Sequence, residues 1–366
     1  MMKLPKLSMS MLAAAVVVAV VAVVHQSASA LSRTSSPAVS KRAMLDSIAR
    51  TVLLPGYSDL AARSADFASA AEVLTSAPNL ASLKGAQQAW KDVLLAWRST
   101  QSFVHGPIND LGVYGRIQFW PSRRQTIDRV LRAQRPIDDQ YIQELGASAV
   151  GLSALEVLLF DIRRDDGARL ATFTGTEGER QRKYFMSLTK ELVAKTRLVE
   201  SAWKGQAGYA ARFGSGGQQQ LNLLVNDLLT AVETGAQGRL RIVIDRHAEP
   251  QFLSELVEGG PSGTSQQALL ALLIGARTTF TGGDGIGLDD YLAQLKSPAA
   301  RRVDVQFRKA IDAVRAIDSP LEQAIDVKAQ AITRAHDECR ALEILLKVEV
   351  ASTLGVTLTF KSTDGD

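Results

Sequence analysis

Residues 83–97, LKGAQQAWKDVLLAW, decide the fold class. Leu83, Ala86, Trp90, Val93, Leu94 and Trp97 fall at i, i+3, i+7, i+10, i+11 and i+14, which is one face of a long helix. Working outward, the same spacing continues through most of the chain beyond Met44, and it predicts helices at 58–77, 79–104, 137–161, 178–204, 217–246, 265–280, 299–317 and 320–350. Glycine and proline punctuate the intervals, at Leu54-Pro55-Gly56, His105-Gly106-Pro107, Trp120-Pro121, Arg135-Pro136, residues 214–217, Gly259-Gly260-Pro261 and residues 282–285. Strand-like alternation is confined to GVTLTF at 355–360, a short strand or a frayed tail. The expected class is all-α.

The first 30 residues read as a signal peptide. Lys3 and Lys6 precede the apolar run Met11–Val24, and Ala28-Ser29-Ala30 supplies a small-residue cleavage signature. Fourteen apolar residues fall short of the roughly 20 that span a bilayer, which favours cleavage over retention as an anchor. The only cysteine is Cys339, so neither a lipid-modified cleavage point nor an internal disulfide is available. Loss of Lys3 and Lys6 lowers the formal charge from +4 to +2, too weak a bias to imply a nucleic-acid partner. Residues 31–43, LSRTSSPAVSKRA, read as a flexible leader.

An internal echo organises the remainder. Ala154-Leu155-Glu156-Val157-Leu158-Leu159 returns as Ala341-Leu342-Glu343-Ile344-Leu345-Leu346, and Arg98-Ser99-Thr100 with Phe103 returns as Arg277-Thr278-Thr279-Phe280. Their order and near-equal offsets predict two pseudo-repeated helical bundles, 44–168 and 178–352, followed by a tail at 353–366. In both copies the glutamate lies on the apolar stripe: Leu145, Ala149, Leu152, Glu156 and Leu159 in one, Ile325, Ala329, Ile332, His336, Cys339, Glu343 and Leu346 in the other. A carboxylate so placed needs a cation, a metal or a retained proton. Structural pairing with Arg98 and Arg277 is the plain expectation.

Other signals are weak. His336, Cys339 and Glu343 share a helical face, but one helix seldom completes a metal site. The zinc-protease pattern HExxH is absent, and none of His105, His247 and His336 is followed by glutamate three residues on. Gly151-Leu152-Ser153 lacks the strand and second glycine of a nucleophile elbow. TGGDGIGLDD at 281–290 reads as a helix-to-helix connection, and Arg123, Arg124, Arg129, Arg132 and Arg135 as a solvated basic face.

The stretch Trp90–Leu131, with its Trp- and Arg-bearing helix, Phe, Gly-Pro break and Trp-Pro turn, resembles the first landmark of the imelysin-like family. Gly151 to Phe160 is similar to the second, and Glu258 through Ser262 and Ser265 to Leu288 to a weaker third. The family pattern at the second landmark is G-x-H-x-x-E, and here Ser153 stands in the histidine's place. The resemblance implies a metallopeptidase-like or iron-uptake-associated envelope protein, of whose His–Glu pair only Glu156 carries over. A non-catalytic periplasmic binding or accessory protein for iron or other metal uptake is therefore the leading expectation. An imelysin-type metallopeptidase using Glu156, and a structural or protein-partner module, are the alternatives. The expected binding residues are Glu156, Ser153, Gly151, His105, Arg98, Gly106, Pro107 and Trp120. Glu156 and His105 are the expected ligands of any metal ion, iron or zinc, and a small ligand and envelope proteins are the expected partners. No transmembrane segment is expected after cleavage.

Overall fold

Trp90 and Trp97, the two large residues of the opening stripe, are fully buried, as are Leu83, Ala86, Val93 and Leu94. They belong to α3 (Leu80–Ser99), whose start is fixed by a reciprocal cap. Asn79 Oδ1 accepts from Ser82 N–H at 3.0 Å and Ser82 Oγ from Asn79 N–H at 3.0 Å. The computed structural model describes residues 38–160, 165–245 and 256–359, and among them every regular element is helical. The principal helices besides α3 are α1 (Lys41–Ile48), α2 (Leu54–Ser76), α4 (Gly151–Leu159), α5 (Gly175–Trp203), α6 (Gly217–Thr230), α7 (Gly238–Asp245), α8 (Ser265–Thr281), α9 (Ala299–Arg315) and α10 (Leu321–Leu345). No helix among the described residues is long and apolar enough to cross a membrane.

The core follows from which stripes face each other. α2 lies between α3 and α5, and α4 closes against both α3 and α5. Farther along, α8 packs on α9, α9 on α10, and α10 on α7. These groups meet where α8 crosses α3. A Cβ on Gly275 of α8 would stand 2.2 Å from Ser99 O, and Ser102 Oγ meets Thr279 Oγ1 at 2.6 Å. The echoed segments that begin at Arg98 and Arg277 are therefore direct neighbours.

Several boundaries differ from the sequence reading. The expected leader, 31–43, ends early because Ser40 caps α1, its Oγ accepting from Ala43 N–H at 3.1 Å. Leu54-Pro55-Gly56 does not break the chain. A π-helical turn at Ala49–Leu53 widens the helix just before Pro55, so a residue without an N–H starts α2 harmlessly. The expected helix 137–161 is three pieces, Asp139–Glu144, Ala147–Ala149 and α4, so the stripe from Leu145 to Leu159 does not lie on one helix. Leu145 and Gly146 are extended at the first break, and at the second Gly151 has φ +69°, where a Cβ would sit 2.5 Å from Ile117 O.

Residues 355–359 form no strand. Asn226 takes the place of a partner, donating to Thr357 O at 2.9 Å and accepting from Thr359 N–H at 2.9 Å. Residues 281–290 form the expected connection, with left-handed Gly282 ending α8 and Ile286 N–H donating to Ser47 Oγ at 2.7 Å. Arg123, Arg124, Arg129, Arg132 and Arg135 are solvent-exposed. The expected signal peptide and His247 lie outside the described residues.

Candidate functional site

The His105-Gly106-Pro107 break is held from below by aromatics. After α3 the chain tightens into a 3-10 turn at Thr100–Ser102 and then extends at Phe103, whose ring is fully buried against Phe213 and Trp203. Tyr57 OH donates to Phe103 O at 2.8 Å. Gly106 has φ +78°, and a Cβ there would lie 2.7 Å from the Tyr209 ring, so only glycine fits. Pro107 opens the short helix Pro107–Asp110. Between these fixed points His105 is set by Asp227 of α6. The carboxylate is almost fully buried and accepts from Val104 N–H at 2.8 Å and His105 N–H at 3.0 Å, with Nδ1 of the His105 ring at 2.7 Å.

His105 and Asp227 line one side of a cleft of about 510 Å³, with Arg98, Gln101, Tyr114 and Arg239 among the other lining residues. Behind its wall Glu258 is shared by two guanidinium groups. Arg98 pairs with its Oε1, while Arg239 reaches Oε2 through Nη2 at 2.8 Å and Nε at 3.2 Å. Gln118 Nε2 adds a donor to Oε1 at 2.5 Å. Burial, and after it the neighbouring Arg239, pulls the Arg98 guanidinium well below its usual value, and burial lowers Arg239 as well. Guanidinium groups stay protonated in proteins, so the direction marks the cost of holding two like charges away from water, which Glu258 offsets. Arg239 reaches the cluster because a π-helical turn at Ala231–Gln237 separates α7 from α6, and its Nη1 donates to Gly235 O.

Glu156 belongs to a different environment. It is 1% exposed on α4, does not line the cleft, and its Oε1 accepts from Ser262 N–H at 3.2 Å. Burial, with a smaller push from the Glu322 charge, raises its carboxyl to about 7 against the bonds from Ser262. The expected ion pair with Arg98 is not formed, because Glu258 takes Arg98. Ser153 is buried and its Oγ has no partner. One turn of chain links the two places. Gly259, at φ +75°, and the bond from Thr264 N–H to Gly259 O at 2.8 Å turn Glu258 towards the arginines and Ser262 towards Glu156. Trp120 steadies this turn, donating from Nε1 to Leu256 O at 3.3 Å.

The echoed segment 341–346 also departs from the expected pairing. Glu343 is bonded by Lys347 at 2.5 Å, and Arg277 pairs with Asp304 at 2.7 Å, so these two do not meet. Cys339 is fully buried and its thiol is pushed up to about 12 by burial. Among the described residues no three His, Cys, Asp or Glu side chains are grouped as a metal site. His105 and Glu156 face different partners, and a lone carboxylate beside serine hydroxyls is a poor donor set for zinc or iron.

Of the expected site residues, Arg98 and His105 line the cleft, Gly106 and Pro107 follow His105 in the chain without lining it, and Gly151, Ser153 and Glu156 lie apart from it. Asp227, Arg239 and Glu258 were missed as site residues. Asp227 carried a signal, being an acid inside the apolar run LNLLVNDLLTAV; Arg239 carried none, because the π turn that places it has no sequence signature of its own.

The family model for imelysin, a peptidase M75 family, matches residues 53–347. The chain belongs to the imelysin family. Iron-regulated protein A of Synechococcus elongatus is 25% identical over 283 residues, covering 74% of each chain. Imelysin-like folds recur in solved structures. A protein described as an iron-regulated protein A precursor, from Parabacteroides distasonis, gives a TM-score of 0.72 at 17% identity over 87% of this chain and 97% of its own. An imelysin-like protein from Psychrobacter arcticum gives 0.67 at 18% identity over 89% and 100%. At such identities these two show the fold.

Proposed function

We propose that this imelysin-family chain is an exported, periplasmic protein of the cell envelope that binds a small ligand in an iron-associated role and does not act as a peptidase. The observation that carries the reading is the convergence of Arg98, the His105–Asp227 pair and Arg239 on one cleft of about 510 Å³, a size suited to a small molecule. Glu156, the motif residue on which a metallopeptidase would depend, is by contrast buried and does not line that cleft, with a serine in place of the motif histidine. The iron association comes from similarity to iron-regulated protein A. Export rests on the N-terminal run of residues 1–30. The division into halves at 44–168 and 178–352, as copies of one helical unit, belongs to the same proposal, and superposing the halves tests it.

The test is growth of a deletion strain under iron limitation. The wild-type gene restores growth and the His105→Ala, Arg239→Gln double variant does not. Equal restoration by both, or chelator-sensitive cleavage of an unfolded substrate by the purified protein, contradicts the reading.

A further inference from the structure

The cleft has an excess of hydrogen-bond donors. The acid groups in and behind its wall are already occupied: Asp227 accepts two backbone N–H groups and faces the His105 ring, and Glu258 accepts from Arg98, Arg239 and Gln118. Its donors are not. Arg98 is 3% exposed and Gln101 8% exposed, both line the cleft, and Arg98 Nε and Gln101 Nε2 have no acceptor within the protein. Tyr114 OH donates to Gln101 Oε1 at 2.9 Å, which fixes the amide so that its NH2 end is the unpartnered one. A buried donor without an acceptor loses its hydration with nothing in return, and this wall holds two. The ion pairs of both guanidinium groups are made with Glu258, while Asp227 is taken up by two backbone N–H groups and the His105 ring.

We infer that the cleft recognises an oxyanion, a small molecule bearing carboxylate or phosphate groups, through Arg98, Gln101 and Arg239. This deepens the binding-protein reading and rests on it. Planar guanidinium and amide donors match the paired oxygens of a carboxylate or phosphate. The same wall disfavours a bare metal cation, which would face two guanidinium groups. A metal would enter this cleft as a complex whose ligands carry net negative charge.

Isothermal titration of the full mature protein with citrate, ferric citrate, inorganic phosphate and, as a neutral comparison, glycerol tests the inference. At least one of the three anions binds, more weakly as salt is raised, and glycerol does not. Citrate and phosphate separate the two chemical sources of the oxygens, and ferric citrate shows whether the metal is carried. Arg239→Gln weakens binding at least about tenfold. Gln101→Leu leaves every ion pair intact and weakens it by roughly three- to tenfold, so the inference stays testable if the arginine variant folds poorly. Absence of anion binding, or unchanged affinity in Gln101→Leu and a folded Arg239→Gln, overturns it. Where cleft substitutions abolish growth rescue yet no anion binds, the oxyanion inference falls and the binding-protein reading stands. Where they leave rescue intact, that reading falls whatever the titration shows.

Discussion

Ala154-Leu155-Glu156-Val157-Leu158-Leu159 and Ala341-Leu342-Glu343-Ile344-Leu345-Leu346 are nearly the same six residues, yet their acids live differently. Glu156 is sealed in, bonded to Ser262 and without a cation at hydrogen-bond range, and burial raises its carboxyl to about 7. Glu343 keeps 13% of its side chain exposed and is held by Lys347, which also reaches Glu233 at 2.9 Å. Two flanking residues account for much of the contrast. One turn beyond the acid stands Phe160 after the first segment and Lys347 after the second, so only Glu343 has a cation at i+4. Five residues before it stand Gly151 and Glu338. The glycine starts a short helix buried nearly all round, whereas Glu338 lies inside the long α10. A shared motif therefore fixes a helical face, and its neighbours fix the electrostatics.

Gly151→Ala breaks the contrast most severely. A Cβ at φ +69° would press on Ile117 O at 2.5 Å and Arg116 O at 2.6 Å, both backbone atoms, so the loss is several kcal/mol, on the order of 3 or more, in a chemical melt. Glu258→Leu comes next, because it leaves Arg98 and Arg239 buried without their carboxylate. Its expected cost is about 3–5 kcal/mol by the same measurement, with the melting temperature falling accordingly. Lys347→Met is the smallest. It frees Glu343 and Glu233 in a partly solvated setting, and thermal melts show a loss of no more than about 1 kcal/mol. A cost near that of Glu258→Leu would mean that the two acids share one environment after all.

How much of this was legible in the sequence depended on where the determining signal lay. Helices set by an apolar period, α3, α5, α8 and α9, fall within a few residues of their expected bounds, because burial of one stripe is a local property of the chain. The division of 137–161 was missed, since a helical period can run through a glycine, and neither the extended Leu145-Gly146 step nor the left-handed φ of Gly151, packed against distant Ile117 O, shows in that period. The inward placement of Glu156 was readable from its apolar neighbours, but its partner was not. Arg98 goes to Glu258, 160 residues on, and that choice is made by the turn that follows Glu258 and by the π turn that delivers Arg239.

Glu156 is a buried carboxyl with no cation at hydrogen-bond range to hold it ionised. Its folded-state pKa, about 7, lies above the usual carboxyl value, so the folded state binds a proton that the unfolded chain has already released between about pH 4.5 and 7. Stability is therefore greatest below that window and falls as pH rises through it, by on the order of 3 kcal/mol from this group, with Glu322, also raised by burial, adding in the same direction. Urea unfolding at pH 5 and pH 8, wild type against Glu156→Gln, measures it directly. The wild type should lose that stability on going to pH 8 and the glutamine variant should lose markedly less, whereas equal pH dependence in the two proteins would contradict the account.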